Sequence, residues 1–176
     1  MNKLKELTWK NHKEAERKSF AQKLIKGISP LEYYIYLYNQ YMLYYALETR
    51  AAELLPEIKE IFRCEAMLKD LQELIIKYQI EKSIDYIKPV VQSYEQHVQH
   101  LDREGILAHI YVRHFGDMYG GQMIKKRVPG SGSMYDFKDS ENLKQKIRSM
   151  LDDNMAEEAN RCFKFAIRLF EELSNE

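Results

Sequence analysis

Two short segments carry residue types that point to chemistry rather than to packing alone. The first is Gly116-Asp117-Met118-Tyr119-Gly120-Gly121-Gln122, which interrupts an otherwise regular helical pattern. Each of its three glycines weakens a helix by roughly 1 kcal/mol relative to alanine. Because glycine has no Cβ, the segment allows a bend and a close approach of backbone to a bound molecule, with Asp117 beside it. A helix crossing or a loop between two helices is the alternative interpretation.

The second segment is His12-Lys13-Glu14-Ala15-Glu16 near the N-terminus. A neutral imidazole on a core-facing helix can ligate a metal. No histidine follows His12 four residues later, so a zinc-binding pair is not indicated. A packed or exposed histidine is the alternative when the segment is taken alone. His97 and His100, three residues apart, have metal-binding potential too, but we interpret them as part of a solvated helix face.

The elements that must position these segments are helices. Apolar residues recur at helical spacing along nearly the whole chain, and Ser29-Pro30-Leu31-Glu32 is a helix start with a capping-box pattern. Few turn residues occur outside 129–133, so connections are short and neighbouring helices antiparallel. We therefore predict an all-α, single-domain, multi-helical bundle over residues 1–176. The predicted helices are about 3–18, 30–52, 65–79, 89–104, 106–127, 140–151 and 153–173.

Composition limits the function classes. The 176 residues include 27 Lys plus Arg and 27 Asp plus Glu, and this zero balance argues against an electrostatic grip on nucleic acid. No apolar run is long enough for a membrane span, and the N-terminus lacks the apolar core of a secretory signal. The two cysteines lie far apart and make no disulfide framework. We expect a soluble cytoplasmic protein that binds neither nucleic acid nor membrane.

In this order along the chain, the segments resemble the haem oxygenase family. His12-x-x-Ala15-Glu16 resembles its proximal helix, residues 116–122 resemble its Gly-Asp-x-x-Gly-Gly-Gln distal signature, and residues 163–173 fit its last helix. The resemblance implies a haem-oxygenase-like fold and the opening of haem by O₂ and electrons to biliverdin, CO and Fe²⁺. Haem would then be both substrate and prosthetic group, and electrons would come from an external reductant.

The resemblance also implies how haem is held. His12 would be the axial ligand of the iron, and Glu16, one turn later, would fix the imidazole through a hydrogen bond. Gly116 and Gly120 would bring bare backbone against the opposite, distal face.

Asp117 resembles the family residue that organises proton delivery. Arg113 lies four residues earlier, so on a regular helix it would share a face with Asp117 and keep the carboxylate ionised and oriented. Tyr44 stands where the family has a tyrosine of the same network. Packing in a tyrosine-rich helix is the alternative for Tyr44.

Basic and aromatic side chains would complete the site. The propionates of haem need cations, and the resemblance implies Lys5, Lys144 and Arg148 for this role, with Tyr111 as a hydrogen-bond donor. Phe163 would form part of the wall. Solvated surface for the cations, and plain core for Phe163, are the alternatives.

Three positions depart from the family pattern. Tyr119 stands where a small residue is usual, Ala166 where an asparagine is common, and Val112 where a threonine is common. Because of these departures, the position at which the haem ring is opened stays undetermined, and we expect a hydrogen-bond network with fewer members than is usual for the family.

Electrons must come from a partner, because no flavin or nicotinamide motif is present. Residues 3–26 carry eight Lys and Arg against three Glu, and Lys125-Lys126-Arg127 adds a second basic cluster. Such a face suits ferredoxin or a similar acidic donor. A bilin reductase is the expected downstream partner. Two alternatives remain: a non-catalytic haem carrier or sensor, and a haem-free relative of the thiaminase or di-iron type.

Overall fold

The computed structural model describes residues 3–174 and contains nine α-helices and no strand within that range. The all-α prediction is therefore confirmed. The helices are α1 (Leu4–Arg17), α2 (Ser19–Lys26), α3 (Pro30–Leu54), α4 (Cys64–Tyr78), α5 (Pro89–Val98), α6 (Arg103–Ile110), α7 (Gly116–Lys125), α8 (Ser140–Met150) and α9 (Ala156–Ser174). A π-helical segment, Tyr111–Phe115, joins α6 directly to α7.

Local chemistry sets several of these boundaries. Ser29 caps α3, because its side chain accepts a hydrogen bond from the Glu32 amide at 3.3 Å while Pro30 occupies the first turn. Asp102 caps α6 by accepting from the Gly105 amide at 2.8 Å.

One predicted helix boundary is wrong, and one helix was not predicted. The predicted helix 89–104 ends at Val98, since the chain must leave it for Asp102 to cap the next helix. Helix α2 was not predicted: its eight residues carry only Phe20 and Leu24 as buried anchors, too few for a recognisable period.

Helix α3 lies at the centre of the core. It packs against α4, α5 and α6, while α9 packs against α1, α2, α5 and α6. The inward-facing residues of α3 include Tyr33, Leu37, Leu43 and Leu47, all of them fully buried. The abundant tyrosines thus serve largely as core, with their rings supplying large apolar area.

Helices α1 and α9 form a smaller packed unit beside this core. Ala15, Phe163 and Ile167 are its buried members, and Val112 of the π-helical segment packs against them. This arrangement holds the His12 turn of α1 against α9. Within residues 3–174, no helix has the length and apolarity needed to cross a bilayer.

Candidate active site

A cavity of about 460 Å³ opens where α1, α8 and α9 meet the π-helical segment and α7. This size is within the range typical of small-molecule sites. Most of its wall is apolar, with a few basic groups at intervals. The lining residues are Leu4, Lys5, His12, Tyr111, Val112, Phe115, Gly116, Tyr119, Arg148, Leu151 and Phe163.

His12 is held in the cavity wall by three neighbours. Its ring stacks on Phe163 with the centroids 5.3 Å apart, and Trp9 meets it edge-on at 5.6 Å. Its Nε2 lies 2.8 Å from Oε1 of Glu16, one turn later on α1. The imidazole is therefore oriented by a carboxylate through one nitrogen, which leaves the other for a second interaction.

The glycines of α7 differ in what they permit. A Cβ on Gly116 or Gly120 would meet no atom within 4 Å, so bare backbone here borders open space. A Cβ on Gly121 would lie 2.5 Å from Cδ1 of Tyr135, so this third glycine makes room for a packed aromatic ring instead. Gly116 and Gly120 thus leave room for the close approach of another molecule, whereas Gly121 accommodates a ring from the 3₁₀ segment Ser133–Tyr135.

The irregularity of this helix does not lie at the glycines. Residues 116–125 are α-helical, whereas the five residues before them form a π-helix. A π-turn adds a residue to each hydrogen-bonded ring and so rotates the following side chains relative to the preceding ones. The glycine segment is therefore regular α-helix, and the change of helix type lies in the residues before it.

Asp117 pairs with Tyr44 of α3. The Tyr44 hydroxyl donates to Oδ2 of Asp117 at 2.5 Å. Burial raises the pKa of Asp117 from 3.8 to about 6, although the Tyr44 hydrogen bond and neighbouring basic groups lower it. Burial and the charge of Asp117 raise the pKa of Tyr44 well above its ordinary value. The phenol therefore keeps its proton, while the carboxyl exchanges one near neutral pH.

Arg113 does not form the predicted ion pair with Asp117. Its Nε donates to the Tyr94 hydroxyl at 3.0 Å, and its guanidinium lies 4.4 Å from the centre of the Tyr94 ring. The intervening π-turn explains this, because the expected face-sharing assumes regular α-helical geometry. The charge of Arg113 still lowers the pKa of Asp117, but burial outweighs it, so the carboxyl is not held strongly ionised.

A second buried acid–base pair lies beside Tyr44 and was not predicted. His114 Nε2 donates to Oε2 of Glu48 at 2.7 Å, and the His114 and Tyr44 rings are 4.8 Å apart. Burial alone would raise the pKa of Glu48, but hydrogen bonds from His114 and from the Arg63 amide keep it below its ordinary value. The sequence feature that could have indicated this pair is Glu48, a carboxylate four residues after Tyr44 and on the same face of α3.

Two of the three predicted cations, Arg148 and Lys144, lie around Tyr119 at one edge of the cavity. The Arg148 guanidinium hydrogen-bonds the Tyr119 hydroxyl, and Lys144 Nζ lies 4.5 Å from the centre of the Tyr119 ring. Phe115 packs on the same ring at 4.8 Å. Lys5 lines the cavity from α1 with its Nζ 5.7 Å from the Trp9 ring centre.

The cavity brings together six of the twelve predicted site residues: Lys5, His12, Tyr111, Gly116, Arg148 and Phe163. Glu16 touches His12 from outside, and Lys144 reaches the cavity edge through Tyr119. The remaining four, Tyr44, Arg113, Asp117 and Gly120, lie outside the lining. Tyr44 is hydrogen-bonded to Asp117, and Arg113 to Tyr94.

Comparisons with known proteins agree on one family. The family described as "Heme oxygenase" matches residues 1–172. A heme oxygenase of Pyropia yezoensis is 31% identical over 203 residues, covering 99% of this chain and 85% of that protein. The structure of a heme oxygenase from Leptospira interrogans superposes with a TM-score of 0.82 at 28% identity, covering 97% of both chains. Heme oxygenase-1 of Synechocystis sp. PCC6803 in complex with heme superposes with a TM-score of 0.80 at 25% identity, covering 98% of this chain and 91% of that one.

Proposed function

The chain belongs to the haem oxygenase family, and from this premise we propose that it opens haem to biliverdin, CO and Fe²⁺ with O₂ and electrons from a ferredoxin-type donor. The observation that carries the proposal is that His12 of α1 and Gly116 of α7 line one cavity. A side chain able to ligate a metal and bare backbone thus border the same space.

The residues around this cavity suit a flat, largely apolar macrocycle with two anionic arms. The open Cβ position of Gly116 lets a ring approach the α7 backbone, and Phe163 offers an aromatic wall. Lys5 and Arg148 supply positive charge at the lining. When bound, haem supplies the redox-active iron and is itself the ring that is oxidised.

His12 would bind the iron, and Glu16 would orient the His12 imidazole. The 2.8 Å contact between the two side chains fixes the imidazole plane and increases its basicity as a ligand. Stacking on Phe163 further restricts rotation of the ring.

Asp117 and Tyr44 would manage the proton supply on the opposite side. With a pKa of about 6, Asp117 can take up and release a proton at Oδ2 near neutral pH, which is the range that favours general acid–base work. Tyr44 holds that oxygen in place by donating to it. Arg113 would act on Asp117 at a distance through its charge, since its hydrogen bond goes to Tyr94.

Arg148, Lys144, Lys5 and Tyr111 would bind the propionates. Arg148 and Lys144 are already assembled around Tyr119, which places two cationic side chains at one edge of the cavity. Tyr119 itself lines the cavity, so its phenol would limit how the ring sits there. Gly120 would extend the bare backbone of α7 one turn beyond Gly116.

Electrons would enter through the surface formed by the two basic segments, residues 3–26 and Lys125-Lys126-Arg127. Helix α2 packs against both α1 and α7, so the two lysine-rich segments belong to adjoining elements. An acidic donor of the ferredoxin type would dock there, with a bilin reductase taking up the product. We place the reaction in the cytoplasm, where the two free cysteines suit a reducing compartment.

A turnover assay tests this function. Purified protein is mixed with haemin, ferredoxin, its reductase and a nicotinamide donor, and the spectrum and products are followed. Loss of the haem Soret band with the appearance of a bilin and CO supports the proposal. A persistent haem spectrum would indicate a carrier or sensor, and no spectral change on adding haemin would indicate a haem-free function.

A further inference from the structure

A cluster of three metal-ligating side chains lies outside the cavity, where α5, α6 and α9 converge. Nε2 of His97, Nε2 of His109 and Oε1 of Glu158 lie within 4.8 Å of one another. His109 Nε2 is 2.9 Å from Oε1 of Glu158, and His97 Nε2 contacts the same oxygen. Residues up to 61 positions apart therefore direct their coordinating atoms at one point.

The cluster has a closed side and an open side. The His109 side chain is fully buried, whereas those of His97 and Glu158 are 27% and 13% exposed. The Phe165 ring packs against His97 with the centroids 5.2 Å apart and restricts its position. A small ion can thus reach the three atoms from solvent without opening the fold.

The groups behind the cluster orient it for coordination. His109 Nδ1 lies 2.7 Å from the Tyr94 hydroxyl oxygen. When Nδ1 carries the proton and donates it to that oxygen, the lone pair of Nε2 points at the cluster, which is the usual arrangement of a ligating histidine. Arg161 donates to Oε2 of Glu158 at 2.8 Å, so the second carboxylate oxygen is held and Oε1 is directed inward.

We propose that His97, His109 and Glu158 bind one divalent first-row transition-metal ion, Zn²⁺ or Fe²⁺. Two imidazoles and one carboxylate are a ligand set that both ions use in proteins. Ligands of a tetrahedral zinc centre lie about 3.3 Å apart, so the side chains need to move by only about 1 Å or less each. Binding replaces the two histidine–glutamate hydrogen bonds, and the proton on each Nε2 must leave that nitrogen, either by a shift to Nδ1 of a neutral ring or by release to solvent from a doubly protonated ring.

The ion would connect α5 to two helices, α6 and α9, that lead to the haem site. Helix α9 bears Phe163, and α6 continues through the π-helical segment to Gly116. The proposal does not depend on the proposed function, since the ligand atoms are distinct from every residue assigned to haem.

Metal titration of the haem-free full-length protein tests the site. The protein is freed of metal with a chelator, and Zn²⁺, Fe²⁺ under anaerobic conditions, and Mg²⁺ are titrated by calorimetry. We expect one equivalent of Zn²⁺ or Fe²⁺ and no binding of Mg²⁺, which prefers all-oxygen ligands. The Zn²⁺ and Fe²⁺ affinities then identify the preferred ion.

Matched variants locate the ion. His97→Ala and Glu158→Gln should each weaken binding by at least about tenfold, whereas His100→Ala and His12→Ala should leave it unchanged. Because His97 is partly exposed, His97→Ala should fold normally, as circular dichroism would verify. Co²⁺ titration provides a second readout, since ligand-field bands seen in the wild type should vanish in His97→Ala. No binding of either ion by the wild type, or equal binding by His97→Ala, would overturn the proposal, as would a site lost in His12→Ala but kept in His97→Ala.

Discussion

At the scale of single residues, Asp117 is a carboxyl whose surroundings disfavour its charged form. Burial disfavours the charge of its carboxyl and raises the pKa to about 6. Tyr44 donates to it, and basic groups nearby offset part of the cost of the charge. A carboxyl perturbed in this way is a candidate functional residue.

Replacing Asp117 with asparagine should separate haem binding from turnover. Asparagine accepts the Tyr44 hydrogen bond but cannot exchange a proton, so haemin affinity should persist while the rate of bilin formation falls by about 10² or more. Absorbance during ferredoxin-supported turnover measures both quantities. Asp85→Asn, which changes an exposed carboxylate, is the control. An unaltered bilin yield in the Asp117 variant would exclude a role for this carboxyl in proton delivery.

The same substitution should stabilise the haem-free protein at neutral pH. The pKa of Asp117 is raised on folding, so the protonated form is favoured by the native state and stability is lost as pH rises from about 4 through about 6. Asp117→Asn removes this loss, and the free energy of unfolding at pH 7.5 should increase by about 1–2 kcal/mol, less than the full shift implies because the residue is only half-buried. Urea unfolding at pH 4 and pH 7.5 measures the difference. An increase of the same size at pH 4 would contradict the titration argument.

At the scale of helices, the three glycines of α7 serve two different purposes. Gly116 and Gly120 keep backbone bare beside open space, and Gly121 accommodates Tyr135. Alanine at Gly116 should therefore favour the helix by about 0.5–1 kcal/mol in the haem-free protein and weaken haem binding, since its methyl group enters the cavity. Thermal unfolding and haemin titration measure the two effects.

Alanine at Gly121 is the matched comparison. Its methyl group would collide with the Tyr135 ring at 2.5 Å, so this variant should lose stability instead. Equal stability changes in the two variants, or undiminished haemin affinity of Gly116→Ala, would contradict the distinction.

Sequence reasoning succeeded where a helix or a motif acts locally. The capping box at Ser29 and the long helix after it follow from patterns within a few turns of chain, whereas the presence of His12 and Gly116 in one cavity was expected only from the family resemblance. It failed where one extra residue changes the helical register. The π-helical segment directs the Arg113 side chain to Tyr94, and no local sequence pattern predicts such a segment. The Glu48–His114 pair was also missed, since it depends on how α3 packs against the segment after α6.

At the scale of the whole molecule, the net charge is zero but the charged residues are unevenly distributed. Several basic residues near the N-terminus and after α7 are exposed and form no ion pair within residues 3–174, namely Lys10, Arg17, Lys26, Lys126 and Arg127. The acidic residues that balance them lie in other parts of the chain. That residues 1–176 form one domain stays a prediction. The uneven distribution of charge is a property of the whole chain rather than of one helix.

Reversing one of these charges should weaken electron delivery. Lys126→Glu should raise the KM for ferredoxin several-fold at low ionic strength, and the difference should shrink with added salt because the attraction is screened. Lys82→Glu, an exposed lysine outside both basic segments, should have a smaller effect. Steady-state kinetics at two salt concentrations distinguish them, and identical KM values for the two variants would argue against a localised docking surface.

The most direct test of the account is a crystal structure of the haemin complex. We predict that the iron is bound by a ring nitrogen of His12 and that the opposite face of the macrocycle lies against the backbone at Gly116. An iron bound to any other residue, or a haem located outside the cavity between α1 and α7, would contradict the account.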